Sequence, residues 1–353
     1  MAVNPAGTTF AIAGDDGAVA LYDLATAAPR DTLPTGSPLH TVAFHPTDGS
    51  LVAGGAERAL YLWDHERRRH TLSVNGHGRI HDVTFDQDGR RLYCACARTT
   101  MVWDMATGTR QANLGTRTGP VFAVASRPDA GMVASAGADG AVLLWDRAQL
   151  PLQRHTNGIP GLAASPDGRT LASASMDHTI AVWNTRDHSV RTTLTGHTGA
   201  VNAIAYHHDG HLLASGGDDN TVRLWDPRGA TPPTVLRGHT DQVRAVAFHP
   251  RQRLVASGGD DGRVLLWALD DPADPTEILP PGHPVHTKTR VLITTSRTWS
   301  TATPRGASSS PERSGREGLP GRGARHTAVC RRIGADARDG SVVPRVVPWH
   351  DRV

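Results

Sequence analysis

Along most of the chain, apolar residues come in short alternating runs of four to six, each closed by a turn rich in Gly, Asp or Asn. Alternation at period two over such lengths predicts strands with one face buried. The segment GHTGAVNAIAYHHDGHLLASGGDDNTVRLWD shows the unit. Gly-His opens it, and Val201 to Tyr206 alternates as a first strand. His208-Asp209-Gly210 makes a turn, Leu212 to Ser215 a second strand, Gly216 to Asn220 a tight polar turn, and Thr221 to Trp225 a third strand. After Asp226 a loop leads to Thr234-Val235-Leu236, a fourth strand, and then to the next Gly-His.

The unit repeats. An aromatic followed by a polar or small residue recurs at Tyr22-Asp23, Trp63-Asp64, Trp103-Asp104, Trp145-Asp146, Trp183-Asn184, Trp225-Asp226 and Trp267-Ala268, at spacings of 41, 40, 42, 38, 42 and 42. Four short strands in each unit of about 40 residues predict a propeller blade, and seven units predict a ring. One blade cannot cover both of its faces, whereas stacked neighbours can.

Composition narrows the setting. Gly (37) and Pro (24) are abundant among 353 residues and aromatics are only 5%, which suits turn-rich β architecture. No apolar run is long enough for a helical membrane span, and the opening MAVNPAGTTF lacks the basic and apolar regions of a secretory signal. Three cysteines cannot staple a chain of this length, so a reducing cytoplasm is expected. Enrichment in Arg, Ala, Gly and Pro, with Lys288 the sole lysine, suggests a GC-rich and bacterial source. The net charge of +3 hides an asymmetry: residues 1–283 carry 24 Arg against 29 Asp and Glu, and residues 284–353 carry 13 Lys and Arg against 5 acids.

These motifs resemble the WD40-repeat family, and the sevenfold recurrence over residues 1–283 carries the resemblance. It implies an all-β fold, a seven-bladed β-propeller of four-stranded antiparallel blades. It also implies a hydrogen-bonded chain in each blade, linking a His, a strand Ser or Thr, a turn Asp and the Trp. Blade 5 supplies His155, Asp177 and Trp183 with Ser173 or Ser175, Ser175 being preferred. Blade 6 supplies His197, Ser215, Asp219 and Trp225, and blade 7 supplies His239, Ser257, Asp261 and Trp267. The other blades depart from the pattern. Blade 4 has Arg117 in place of His beside Asp139 and Trp145, and blade 3 keeps His77 and Trp103 but has Ala97 in place of Asp. Blade 2 has Thr35 and Glu57, and blade 1 has Tyr22 in place of Trp. Blades 1–4 are therefore expected to hold less tightly than blades 5–7.

A His, Asp and Ser set invites comparison with a catalytic triad. A catalytic site occurs once, however, while this set recurs, and nothing marks an exposed nucleophile beside an oxyanion hole. The first strands offer Val, Ala, Ile and Phe rather than convergent carboxylates, so no enzymatic activity, cofactor or metal is expected. His65-Glu66-Arg67-Arg68-Arg69-His70 has one residue too many between its histidines for a zinc-protease helix. Cys94 and Cys96 share one strand face and read as core thiols. His207-His208 reads as surface decoration at a turn.

The expected function is a protein-interaction scaffold or sensor. In the family, partners contact the narrow top face around the central channel. The corresponding residues are His40, His81, Phe122, Asn202 and Arg244 at the starts of first strands, with Met176, Asp218 and Asp260 just before the turn Asp. The partner is a protein or peptide; nucleic-acid or anionic-surface binding by the basic tail is the alternative.

At the ends, Met1 aligns with Val246, so the first strand of blade 1 lacks its opening half. Blades should therefore run first to fourth strand in chain order, and the ring should close by packing rather than by a blade shared between both ends. Gly282-His283 opens an eighth unit that stops, and His283 is expected to approach Asp16 and Tyr22. Residues 284–353, rich in Arg, Pro, Ser and Gly, are expected to be a disordered tail. The abrupt loss of pattern also fits out-of-frame translation, and the short first strand fits a piece of a larger signalling protein with an upstream kinase or ATPase domain.

Overall fold

The computed structural model describes residues 1–74, 78–115, 117–126, 133–145 and 151–279. They form seven four-stranded antiparallel sheets arranged as a ring. In every sheet the four strands are neighbours in chain order, so each blade is one continuous meander. Blade 1, for example, runs Ala2–Val3, Thr9–Ala13, Ala18–Asp23 and Pro29–Pro34. Blade 6 runs Val201–Tyr206, Leu213–Gly217, Thr221–Trp225 and Thr234–Arg237.

Burial explains why these sequences form these strands. The first three strands of blade 6 are buried or half-buried along their length, whereas outer strands such as Arg69–Ser73 and Thr109–Leu114 are largely exposed. Inner strands are therefore covered on both faces and read Val, Ala, Ile and Leu; outer strands meet water and read Arg, Thr and Gln. Each core is shared between neighbouring blades. One cluster joins Ala172, Ile180 and Val182 of blade 5 to Val201, Ile204 and Tyr206 of blade 6.

The ring closes by packing, as the strand order requires. Met1, Val3, Phe10, Ile12 and Tyr22 of blade 1 form one buried cluster with Ala245, Ala247, Ala256 and Val264 of blade 7. Tyr22, in the tryptophan position, stacks on Phe10 with ring centroids 5.0 Å apart. The expected approach of His283 to Tyr22, and everything expected of residues 284–353, lies outside the described residues.

Two local readings need correction. His207 is buried rather than on the surface: its ring meets Phe248 of blade 7 edge-on at 5.1 Å, and its Nδ1 lies 2.8 Å from Asp209. The residue after a first strand turns beneath the next blade, and His45 does the same against Phe85 at 5.0 Å. The first strands also carry one carboxylate, Asp82, which is only 1% exposed. It accepts hydrogen bonds from the Val124 N–H of blade 4 (3.0 Å) and the Thr41 hydroxyl of blade 2 (3.4 Å).

Candidate functional site

The top face is built from two sets of turns, those entering the first strands and those joining second to third strands. Its side chains are aimed by a repeated irregularity. In blade 7, Val243 pairs with Gly259 and Ala245 with Gly258, leaving Arg244 as an extra residue. The same β-bulge leaves out His40 in blade 2, His81 in blade 3, Phe122 in blade 4 and Asn202 in blade 6. A bulge turns one side chain out of the alternation of the strand. All five residues are half-buried, in strands whose neighbouring positions are buried. Blade 5 pairs regularly from Gly161 onward and contributes Met176 from its turn instead.

The mouth has two unlike halves. Over blades 2–4, His40 and His81 stack at 6.1 Å, and His81 meets Phe122 edge-on at 5.3 Å. Gly158 borders them: a Cβ there would lie 3.4 Å from Phe122 Cε2 and 3.5 Å from Met176 Sδ, ordinary contact distances. Over blades 6 and 7 the face is polar. Asn202 Nδ2 donates to Asp218 Oδ1 at 2.7 Å, and Arg244 Nε donates to Asp260 Oδ2 at 2.7 Å. The Arg244 guanidinium also reaches Asp218 at 3.5 Å, so one cation is shared by two carboxylates.

Beneath this face lie the polar chains. In blade 6 the Trp225 Nε1–H donates to Ser215 Oγ at 2.8 Å, Ser215 Oγ lies 2.7 Å from His197 Nε2, and His197 Nδ1 lies 2.9 Å from Asp219 Oδ2. Only one proton arrangement satisfies a neutral imidazole here: Nδ1–H donates to the carboxylate and the serine hydroxyl donates to Nε2. Blade 7 repeats the geometry with His239, Ser257, Asp261 and Trp267 at 2.9, 2.7 and 2.8 Å.

In blade 5 the serine is Ser173, not Ser175. Ser173 Oγ receives the Trp183 Nε1–H at 2.8 Å and lies 2.8 Å from His155 Nε2, while His155 Nδ1 meets Asp177 at 2.9 Å. Ser175 follows the last strand residue, Ala174, and its hydroxyl turns to the Gly158 carbonyl at 3.1 Å. Ser173, Ser215 and Ser257 each stand four residues before the turn aspartate, a count that singles out the first of the two blade 5 serines.

Burial sets the ionisation. It lowers the His155 and His197 imidazoles, against the pull of Asp177 and Asp219. Burial also works against the ionised Asp177 and Asp219, but donors from Thr179 or Thr221, the following backbone N–H and the histidine outweigh it and bring each carboxyl down to about 2. These histidines have 0% side-chain exposure. In each of these blades the set is a buried bond chain that ties the loop before the first strand to the turn after the second and to the third-strand Trp.

Blade 4 makes the same connection with a different cation. Arg117 Nε donates to Asp139 Oδ2 at 2.8 Å, a second guanidinium nitrogen binds Asp139 Oδ1, and Nη1 donates to the Ser135 carbonyl at 2.9 Å. Trp145 Nε1–H still finds Ser135 Oγ at 2.9 Å. Blade 4 thus keeps a buried connection despite the loss of its histidine, because an arginine reaches both ends of the chain.

Among the described residues blade 3 shows no such latch. Its second and third strands pair as far as Cys96 and Thr99, leaving the two-residue turn Ala97-Arg98 with Ala97 at φ 47°. Tyr93 stands where the serine would be, and Trp103 Nε1 is buried without a hydrogen-bond partner among the described residues. His77 lies outside them. Cys94 and Cys96 are buried in the core between blades 2 and 3, with Cys96 Sγ donating to the Gly78 carbonyl at 3.2 Å. His65 and His70 sit on an exposed turn and outer strand, not on a helix.

The WD domain, G-beta repeat matches residues 29–64, 68–104, 108–146, 149–184, 188–226 and 230–268, more than half of the chain. The chain is a WD40-repeat protein. Six of its seven blades carry the recognisable Trp-ended unit, and blade 1, with Tyr22, joins the ring without matching. Among curated proteins it is 25% identical over 147 residues to cilia- and flagella-associated protein 52 of Chlamydomonas reinhardtii, covering 41% of this chain and 24% of the relative. It is 32% identical over 103 residues to nuclear distribution protein PAC1-1 of Uncinocarpus reesii, covering 25% of this chain and 23% of the relative. It is also 30% identical over 122 residues to transducin beta-like protein 3 of Bos taurus, covering 33% and 15%. The aligned part of this WD40-repeat chain thus spans less than a quarter of each of these relatives.

Proposed function

We propose that this WD40-repeat protein is a non-catalytic scaffold or sensor module that binds a protein or peptide across its top face. The observation that carries this reading is the bulge that recurs in five first strands and turns His40, His81, Phe122, Asn202 and Arg244 toward one mouth. Core packing alone gives no reason for five blades to break their pairing at the same level. The buried His, Ser, Asp and Trp chains supply the rigidity on which such a face depends, since a preorganised surface loses little entropy on binding. Residues 1–283 are the proposed module and a reducing cytoplasm its proposed setting.

The test compares captures by wild type, a Phe122→Ala/Arg244→Ala variant, and Arg169→Ala, an exposed position in the turn before the Thr170–Ala174 strand. A partner lost with the top-face pair but kept by Arg169→Ala supports the proposal. Capture unchanged by the top-face substitutions overturns it.

A further inference from the structure

We infer that the top of blade 3 is an anion-recognition patch that takes the carboxylates of an acidic segment on a partner protein. The inference rests on the top face being the docking surface and adds the chemistry of what docks. Three exposed arginines, Arg58, Arg79 and Arg98, gather at the Ala97-Arg98 turn. The Ala97 N–H donates to the Arg79 carbonyl at 3.2 Å, and Arg98 is the next residue. Arg58 comes from the adjoining turn of blade 2. Its charge is felt at Cys96, whose thiol is lowered chiefly by its hydrogen bond with Cys94 and further by Arg58.

On this face Arg244 has carboxylates of its own, Asp260 and Asp218, and beneath it the buried Arg117 has Asp139. Blade 3 has Ala97 where blades 4–7 have the turn aspartate, and so the local counter-ion is missing. Among the described residues Arg58, Arg79 and Arg98 make no ion pair; Arg98 Nε donates to the Arg117 carbonyl at 2.7 Å. Glu57, beside Arg58, is held by the Tyr61 hydroxyl and leaves the patch with surplus positive charge.

Guanidinium groups bind carboxylates through two parallel hydrogen bonds, so an unneutralised trio of arginines favours an acidic ligand. Asp15, Asp16 and Asp241 are exposed on blades 1 and 7, and this opposite charge repels an acidic segment from the far side of the mouth. His81, two residues along from Arg79, meets Phe122 of blade 4 edge-on, and the pair offers an aromatic shelf beside the patch. The ligand is therefore an acidic stretch with an apolar residue within it.

Fluorescence anisotropy with a labelled Glu-Glu-Leu-Glu-Glu peptide tests this on the full chain, with Lys-Lys-Leu-Lys-Lys and a single-stranded RNA of similar length as comparison probes. The acidic peptide should bind best. Arg58→Gln/Arg79→Gln/Arg98→Gln should weaken it by about tenfold or more and flatten its salt dependence. Ala97→Asp, which adds the missing carboxylate without removing any arginine, should also weaken it, while Arg186→Gln on an exposed turn of blade 5 should not. Far-UV circular dichroism and melting confirm that each variant is folded. Equal binding by wild type and the triple variant, no preference for the acidic peptide over the lysine peptide, or tighter binding of RNA would overturn the inference. If the top-face captures still depend on Phe122 and Arg244 in that case, only the acidic patch is lost and the docking face stands.

Discussion

Arg117 offers the sharpest test of the idea that each blade is latched by one buried polar chain. Its side chain is 1% exposed, and it stands 22 residues before Asp139 and 18 before Ser135, the spacings that separate His197 from Asp219 and Ser215. Arg117→Met keeps most of the apolar stem but leaves Asp139 facing a non-polar group and strands the Ser135 and Ala141 carbonyls, which now accept from the guanidinium. Breaking a buried ion pair by removing one partner costs about 3–5 kcal/mol. Asp139 retains 19% exposure, so water offsets part of this and about 3 kcal/mol is expected. In a chain of this size that corresponds to a fall in melting temperature of roughly 6–10 °C. Arg117→His places in blade 4 the residue found in blades 5–7 and should recover about half or more of the loss near pH 8. Thermal melts of the three proteins, with hydrogen exchange over residues 135–141, measure both effects. A cost below about 1 kcal/mol for Arg117→Met, or no recovery by Arg117→His, would refute the latch as the source of blade stability.

The other expectations follow from the same geometry. Trp183→Phe takes the indole donor from Ser173 Oγ and should destabilise by about 1–3 kcal/mol, whereas Trp103→Phe removes an N–H without a partner among the described residues and should cost less; urea midpoints compare them. Ser173→Ala strands both an indole N–H and an imidazole nitrogen and should cost more than Ser175→Ala, which loses bonds at the blade edge; equal effects in the same titration would count against the assignment. Acid should destabilise the fold in two steps. His155 and His197 are lowered, so the unfolded chain gains protons first as pH falls below about 6.5. Asp177 and Asp219, brought down to about 2, lose their contribution as pH falls from about 4 toward 2. Melting temperatures across pH 3–8 that stay flat below pH 6 would contradict this.

The ring was legible in the sequence because each blade repeats both its alternation and its Trp, and repetition averages out local accidents. Strand order within each blade followed from alignment of the first unit to the seventh. The harder details have a common cause. Ser173 and Ser175 point to the same face if a strand continues, and only the position of the turn separates them. Arg117 reads as the loss of a histidine because residue type changes, although its reach lets it serve the same two partners. The bulges at His40, His81, Phe122, Asn202 and Arg244 depend on pairing with a second strand, which alternation along one strand does not reveal. Asp82 looks like an interruption in an apolar strand until the backbone N–H of the neighbouring blade is seen to receive it.

Blade 3 shows how a ring tolerates a member without its internal latch. It is tied to both neighbours by polar bonds instead. His40 Nδ1–H donates to the Ile80 carbonyl at 3.1 Å and His45 Nε2–H to the Gly89 carbonyl at 3.0 Å, both from blade 2. From blade 4, the Ser126 hydroxyl donates to the Phe85 carbonyl at 2.6 Å, and the Val124 N–H donates to Asp82. These bonds hold the first strand and the turn that follows it, while the missing latch would have joined the second-to-third-strand turn to the third strand farther out. The inner half of blade 3 is thus fixed by its neighbours, and its outer turn, at Ala97 and Arg98, is left without a carboxylate and facing solvent. The departure from the repeat that costs this blade its own hydrogen-bond chain is the same one that leaves three arginines of the proposed docking face without an ion pair among the described residues.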